Sequence, residues 1–404
     1  RLGMNIVARL WRNHNEALLV ILLLLLTLGT LNVFSASFVT AGQEMKDSYF
    51  FFKRHLLSLL VGIVIFFIMA RVKYQGKMRL GATLFWVACM VLLFLVHVSG
   101  VTVNGSRRWL RLASFTLQPS ELAKLAAVFL AAASLGIQTR RGRLTTIFSP
   151  ALVAAAALAL PVYFQPDMGT AALIIALPLV MHLVAGVAGW QWLVLLFLGG
   201  LGVTKLVMAE GYRAERIASW LNPWQYAQDQ GYQAVQALLA IGSGGITGTG
   251  PGKGMGKFFY LPEAHTDFAF AVFAQEWGLG GAWFLIFLFV LLLVYGGQIV
   301  RKAPDALSQM LALGCLLLVV GQAAGNLLMV LGVLPVIGVP LPFISYGGTS
   351  LIVNMAAMGL LLNIGRQVVA AEGAAEREEE QPEAEGQSLK EKVERKRHLR
   401  LVRH

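Results

Sequence analysis

Asp267 closes the polar run Leu261-Pro262-Glu263-Ala264-His265-Thr266-Asp267-Phe268 and stands at the edge of a long apolar stretch. Partial loss of hydration at such a boundary raises a carboxylate pKa towards that of a useful general base. An acid stabilised by a helix N-terminus has the same sequence signature, so residue type alone does not decide its role. Glu263, His265 and Thr266 lie close enough to position it or a substrate. Glu276 lies deeper in the same stretch, where an ionisable side chain is expected to face the bundle interior. His265 lacks neighbours at metal-ligand spacing, so no metal site is expected there.

A second charged pair opens another apolar run, Gln118-Pro119-Ser120-Glu121-Leu122-Ala123-Lys124. Pro119 suits the first turn of a helix, and Glu121 and Lys124, three positions apart, share one helical face. An ion pair inside a membrane is costly enough that its default reading is functional, the alternative being an inert pair that fixes helix packing. Gln118, Ser120, Asp167 and Ser345 join Glu263, His265 and Thr266 as structural or substrate-positioning residues. The segment around Ser345, from Pro340 to Ser350, reads mainly as packing, because its prolines and small residues allow close approach of helices.

Arg107, Arg108 and Arg111 flank Trp109 in a short polar segment. Guanidinium forks match phosphate oxygens, so this cluster, with Arg213 and Arg216 of a later loop, is expected to bind a diphosphate. Trp109 by itself is equally explained by an interfacial aromatic belt. The glycine-rich run from Gly242 to Gly256 contains no G-x-x-x-x-G-K-[ST] window, which excludes a nucleotide phosphate loop and leaves flexible backbone near a lipid diphosphate as its expected use.

Positioning these groups falls to a chain that cannot live in water. Its 404 residues are 57% hydrophobic and 13% charged, with a mean hydropathy of +0.67. An all-α polytopic membrane fold of about ten helices follows, each run having the roughly 17–25 residues needed to cross a bilayer. The runs fall near 17–38, 53–70, 79–98, 119–137, 147–164, 168–187, 190–208, 267–299, 309–334 and 343–365. The first is too long for a cleaved secretory leader and is expected to be retained. Basic residues at 9 and 12, 71–79, 140–143 and 301–302 fall on one side, which by the positive-inside rule is cytoplasmic and holds both termini. The organisation is therefore a cytoplasmic segment 1–16, a membrane domain 17–366 with an extracytoplasmic loop 209–266, and a charged tail 367–404. An acidic stretch followed by a basic one makes that tail a disordered cytoplasmic segment by composition, able to meet anionic membrane lipids or a partner.

The net charge of +12 belongs to such loops rather than to nucleic-acid binding, which is excluded. Cys89 and Cys315 both lie in apolar runs, against a disulfide framework or a thiol nucleophile. The polar segments 104–118, 165–167, 209–266 and 335–346 all fall on the outer side of this arrangement. A transporter needs polar groups near the midplane and access from both sides, so the asymmetry favours chemistry on a substrate presented outside.

The segments Asn104–Leu110, Gln118–Leu125, Gln165–Thr170, Gly231–Phe270 and Pro335–Ser350, in this order, resemble the SEDS family of shape, elongation, division and sporulation proteins. The likeness runs from about residue 17 to 366, and the stretch Lys257–Phe270 is more similar to division members than to elongation members. The resemblance implies a ten-helix fold and peptidoglycan glycosyltransferase activity on lipid II at the outer membrane face. It makes Asp267 the essential acid, with Glu121, Lys124 and Trp109 also important. On this basis Asp267 takes the proton from the acceptor sugar hydroxyl, the arginines hold the donor diphosphate, and Lys124 orders Asp267 and Glu121 in one network that Glu276 supports. The chain departs from the family at Gln275-Glu276, where two acids are usual. A divalent cation, Mg or Mn, could accompany the diphosphate, although no dedicated cage is visible. The family also implies a class B penicillin-binding protein, an FtsI-like transpeptidase, and other divisome proteins as partners. The competing readings are an elongation- or sporulation-type polymerase of the same family, a lipid II flippase without bond chemistry and a purely structural scaffold.

Overall fold

The computed structural model describes residues 14–103, 106–112, 115–140, 146, 149–195, 197, 199, 211–257 and 261–401. The helices are α1 (His14–Glu44), α2 (Phe50–Met69), α3 (Met78–Ser99), α4 (Pro119–Arg140), α5 (Pro150–Phe164) and α6 (Met168–Val184), followed by α7 (Gly211–Leu221), α8 (Tyr232–Gly244), α9 (Ala269–Lys302), α10 (Ala306–Val330) and α11 (Gly348–Leu401). Seven of them, α1–α4 and α9–α11, are long and apolar enough to cross a membrane, and α5 and α6 are shorter apolar helices. Nine of the ten expected runs thus become helices. Most of the remaining run, 190–208, lies outside the described residues, with 189–195 helical. The chain is a multi-pass membrane protein of the expected all-α class.

Burial explains the arrangement. The membrane-length stretches of α4, α10 and α11 are mostly enclosed by other helices, whereas those of α2 and α3 are mostly open. Leu60, Leu84, Phe94 and Trp283 are more than half exposed, which water would penalise and acyl chains do not. α11 packs along α2, α4 lies between α3 and α10, and α9 packs on α1 and α10.

Between α3 and α4 the chain forms a small antiparallel meander, β1 (Val101–Val103), β2 (Ser106–Leu112) and β3 (Phe115–Leu117), in the order β1-β2-β3. The expected loop is therefore structured, and its strand period assigns alternate residues to opposite faces. Two further differences concern helices. The run expected as one span from 267 is broken at Gly278, whose φ of 67° and ψ of −169° are not helical. The 278–302 part alone rises about 37 Å, enough to cross, so 269–277 is an additional buried half-helix. The tail, expected to be disordered, continues α11 through Leu401; its many Ala, Glu, Gln, Lys and Arg residues favour helix, a local preference that outweighs the low hydrophobicity.

The two ends of the bundle differ. At one end, the turn after α2 meets the turn before α10: Tyr74 Oη lies 2.8 Å from Ser308 Oγ, and Gln75 donates to Gln367 at 3.0 Å. Asn363 donates to the Met69 and Val72 carbonyls, both at 2.9 Å. The basic groups of 71–79 and 301–302 therefore share this end, as the charge pattern requires. The meander, the 165–167 turn, the 245–268 loop and the irregular 335–347 segment occupy the other end. That irregular segment is inserted among helices: a Cβ at Gly29 of α1 would meet Phe343 O at 1.8 Å, and one at Gly169 of α6 would meet Ile337 O at 1.9 Å.

Candidate active site

Asp267 lies just before the half-helix that opens α9, partly exposed at the mouth of the bundle. Its main chain is fixed from α10, because Asn326 Nδ2 donates to the Asp267 and Val339 carbonyls, each at 2.7 Å. Its carboxylate has no hydrogen-bond partner among the described residues. Loss of hydration raises its pKa to about 7, helped by the charges of Glu263 and Asp167 and more weakly by Glu121, with Arg108 opposing. A carboxylate in this condition changes protonation near neutrality, as a general base must.

Arg108 and Asp167 stand beside it. Within β2, Ser106, Arg108 and Leu110 share one face, and Arg107, Trp109 and Arg111 the other. Arg108 donates through Nε to Gln165 O at 3.2 Å and through Nη2 to Pro166 O, and its Nη1 lies 4.0 Å from Asp167 Oδ2. Asp167 caps α6 by accepting from Thr170 N at 3.3 Å, and burial raises its pKa against the pull of Arg108. Arg107 bonds to Thr102 and is exposed, as is Arg111. The expected arginine cluster is therefore split by the strand, with Arg108 alone of the three turned towards the acids. The side chains of Arg213 and Arg216, in α7, lie outside the described residues.

Glu121 and Lys124 form the expected pair at 2.8 Å, 1% and 0% exposed. Lys124 does not bond to Asp267 as the sequence suggested. Its Nζ instead donates to Gln322 Oε1 at 2.6 Å, and Gln322 Nε2 donates to Pro340 O at 2.9 Å and Ser350 Oγ at 3.2 Å. Gln322 and Asn326 are one turn apart on α10 and hold the adjacent carbonyls of Pro340 and Val339, so the pair reaches Asp267 through this helix and the 335–347 segment. Gln118 and Ser120 start α4: Gln118 N donates to Thr349 Oγ1 at 3.0 Å, joining α4 to α11, and its Nε2 donates to Ser120 Oγ.

The rest of the loop shapes the mouth. Thr266 bonds to the Glu263 carboxylate, and the His265 ring lies 4.6 Å from that of Phe51 and 5.8 Å from that of Tyr346. Ser345 Oγ accepts from Leu341 N at 2.9 Å, bracing the irregular segment. That segment is more than packing, since Gly338, with φ of 65°, brings its backbone to the Asp267 carboxylate: a Cβ there would be 3.5 Å from Oδ2. Trp109 is half-buried on the strand face away from Arg108.

Glu276 belongs to a different cluster from Glu121 and Lys124. It pairs with Lys257 at 2.9 Å and accepts from Ser35 and from Gly252 N. The glycine-rich run is likewise used internally, Thr249 N and Gly250 N each donating at 3.0 Å to carbonyls of 275 and 276. Gln322, Asn326 and Lys257 were missed in sequence; Gln322 and Asn326, polar at i and i+4 in an apolar helix, carried a legible signal. Among the described residues no group of three or more His, Cys, Asp or Glu converges as metal ligands.

The chain as a whole resembles known proteins. A profile of the cell cycle protein family that groups FtsW, RodA and SpoVE matches residues 16–369. Stage V sporulation protein E of Bacillus subtilis (strain 168) is 40% identical over 86% of this chain and 96% of its own length. The Probable peptidoglycan glycosyltransferase FtsW of Geobacter sp. (strain M18) is 36% identical over 89% and 98%. Among solved structures, a chain from work on the structural coordination of polymerization and crosslinking by a peptidoglycan synthase complex superposes with a TM-score of 0.71, at 27% identity over 89% of this chain and 99% of that one. The rod shape determining protein RodA of Thermus thermophilus gives 0.62, at 28% identity over 86% and 95%. With the profile spanning almost the whole membrane domain and both neighbours sharing its architecture, the chain belongs to the FtsW/RodA/SpoVE family, the SEDS proteins.

Proposed function

We infer that this chain is a peptidoglycan glycosyltransferase that polymerises lipid II into glycan strands at the outer face of the cytoplasmic membrane, with Asp267 as the general base. The acceptor's GlcNAc 4-hydroxyl loses its proton to Asp267 as its oxygen attacks the anomeric carbon of the donor MurNAc. The bond to undecaprenyl diphosphate breaks with inversion, and the leaving group departs with the electron pair. Arg108, facing the acids, offsets the charge that grows on the diphosphate. The observation that carries this reading is a carboxylate whose backbone is pinned by Asn326, whose oxygens have no partner among the described residues and whose pKa is raised to about 7.

The flippase reading has less support, because the polar segments gather at the end that carries Asp267, while at the opposite end Tyr74, Gln75, Ser308, Asn363 and Gln367 tie neighbouring elements together. The expected partner is a class B penicillin-binding protein, in keeping with the likeness to a chain from work on polymerization and crosslinking by a peptidoglycan synthase complex. Work at the division septum fits the FtsW relatives. The test is polymerisation of labelled lipid II by purified wild type and Asp267→Asn, each with and without the cognate transpeptidase. Glycan chains from wild type and none from the variant are expected; chains from both would remove Asp267 as base, and none from either would favour transport or scaffolding.

A further inference from the structure

Lys257 and Glu276 are nineteen positions apart, and both are buried, at 4% and 2% exposure, with Nζ and Oε1 2.9 Å apart. Asp267 lies between them in sequence, and the ion pair forms a neck at the far end of the half-helix 269–277, whose near end is the tip that carries Asp267. This half-helix is a stiff piece about 13 Å long. Everything at its far end is clamped.

The clamp is built from the glycine-rich run. Breaking a helix at Gly278 frees carbonyls before the break and N–H groups after it, and inside a membrane these must find partners in the protein. Thr249 N and Gly250 N take the carbonyls of Gln275 and Glu276, each at 3.0 Å. Leu279 N and Gly280 N donate to the carbonyls of Gly245 and Ile246 at 2.9 and 3.3 Å. Side chains repeat the pattern: Gln275 bonds to Ser243 Oγ at 2.7 Å and accepts from Gly256 N at 2.9 Å, and Glu276 accepts from Gly252 N at 3.0 Å. Only a residue without Cβ allows this approach, since a Cβ at Gly248 would meet Glu276 O at 2.2 Å. α1 closes the assembly from the side, with Ser35 Oγ on Glu276 at 2.7 Å and Asn32 Nδ2 on Ala269 O at 3.1 Å.

We propose that Lys257 and Glu276, with Ser35, are positioning residues that set the place of Asp267 through the half-helix between them, so that the polymerase rate depends on an ion pair that touches no substrate. Asn32 and Asn326 hold the half-helix near Asp267, at the Ala269 and Asp267 carbonyls, whereas the Lys257 neck, Ser35 and the glycine-rich run hold its far end at 275 and 276. Loosening the neck lets the tip move against the 335–347 segment and admits water to the carboxylate. The inference rests on the reading of Asp267 as the base.

The test compares purified Lys257→Met, Lys257→Arg, Glu276→Gln and Ser35→Ala with wild type and Asp267→Asn, using labelled lipid II over a range of pH and concentration with thermal unfolding in the same detergent. Expected are a fall in kcat of about tenfold or more for Lys257→Met and Glu276→Gln at little changed KM, and a smaller fall of the same kind for Ser35→Ala. The acidic limb of kcat/KM should move below its wild-type position in these variants, and Lys257→Arg should restore both rate and limb. Lowered unfolding temperatures with wild-type kcat and pH limb per folded molecule would overturn the inference and leave the pair a structural one. If the large variants do not fold, Ser35→Ala decides by the same two readouts. Activity in Asp267→Asn would instead reject the base itself.

Discussion

Asn326 donates from its side chain to the main-chain carbonyl of Asp267 at 2.7 Å and to that of Val339 at the same distance. One amide from α10 thus holds the backbone that carries Asp267 and the irregular segment that faces it. Asn326→Ala removes both donors while leaving two buried carbonyls without a partner, which costs about 1–3 kcal/mol of stability per unsatisfied group. A fall in kcat of at least tenfold in lipid II polymerisation should accompany the lowered unfolding temperature. Activity equal to wild type in the folded fraction would mean that the half-helix alone fixes Asp267.

The base must be ionised to act, and Asp267 has its pKa raised to about 7. Rates should therefore rise with pH through about 7, measured as kcat/KM for the free enzyme. Arg108 holds that value down, so Arg108→Ala should move the limb to higher pH as well as weaken leaving-group stabilisation, whereas Arg107→Ala, on the other strand face, should leave the limb in place. The linkage has a definite sign. An acid whose folded pKa is raised stabilises the fold when protonated, and this contribution is lost as pH rises from the ordinary carboxylate range through about 7. Asp267→Asn should accordingly unfold at a higher temperature than wild type at pH 8 while making no glycan.

Lys124 and Glu121 share one buried bond, and Lys124 spends another on Gln322. Removing one charge from such a pair leaves the other uncompensated, at a cost of about 3–5 kcal/mol. Glu121→Gln and Lys124→Met should each lower the unfolding temperature and the activity. Combining them removes both charges and should recover most of the stability without recovering the rate, because the link through Gln322 to the 335–347 segment stays broken. Thermal unfolding and polymerisation on the same samples separate the two effects.

Two glycines of the loop make a contrast. Gly248, with φ of 82°, faces Glu276 O so closely that an alanine Cβ would lie 2.2 Å away, while Gly252, with φ of 79°, has nothing within 4 Å of such a Cβ. Gly248→Ala should disrupt the helix break and abolish activity. Gly252→Ala meets only the backbone strain of a left-handed conformation, about 1–2 kcal/mol, and should retain activity. Comparable loss in both would show that strain rather than close approach governs this loop.

What the sequence determined by itself was everything carried by composition and local spacing. The apolar runs specify membrane helices because a bilayer tolerates little else, the basic residues at 71–79 and 301–302 mark one end, and Glu121 and Lys124 at i and i+3 must meet on any helix. Asp267 at the edge of an apolar run was legible as a candidate base for the same reason. Contacts between residues far apart in the chain were decided only by tertiary structure. The strand period at 106–112 turned Arg108 inward and Arg107 and Arg111 away, and Lys124 found Gln322 rather than Asp267. Glu276, which shares a helix with Asp267 in sequence, was drawn to Lys257 because a break at Gly278 had to be sealed by the glycine-rich run. Spacing along a chain sets which side chains share a face, whereas the requirement that each buried charge and backbone group find a partner is met wherever folding brings one within reach.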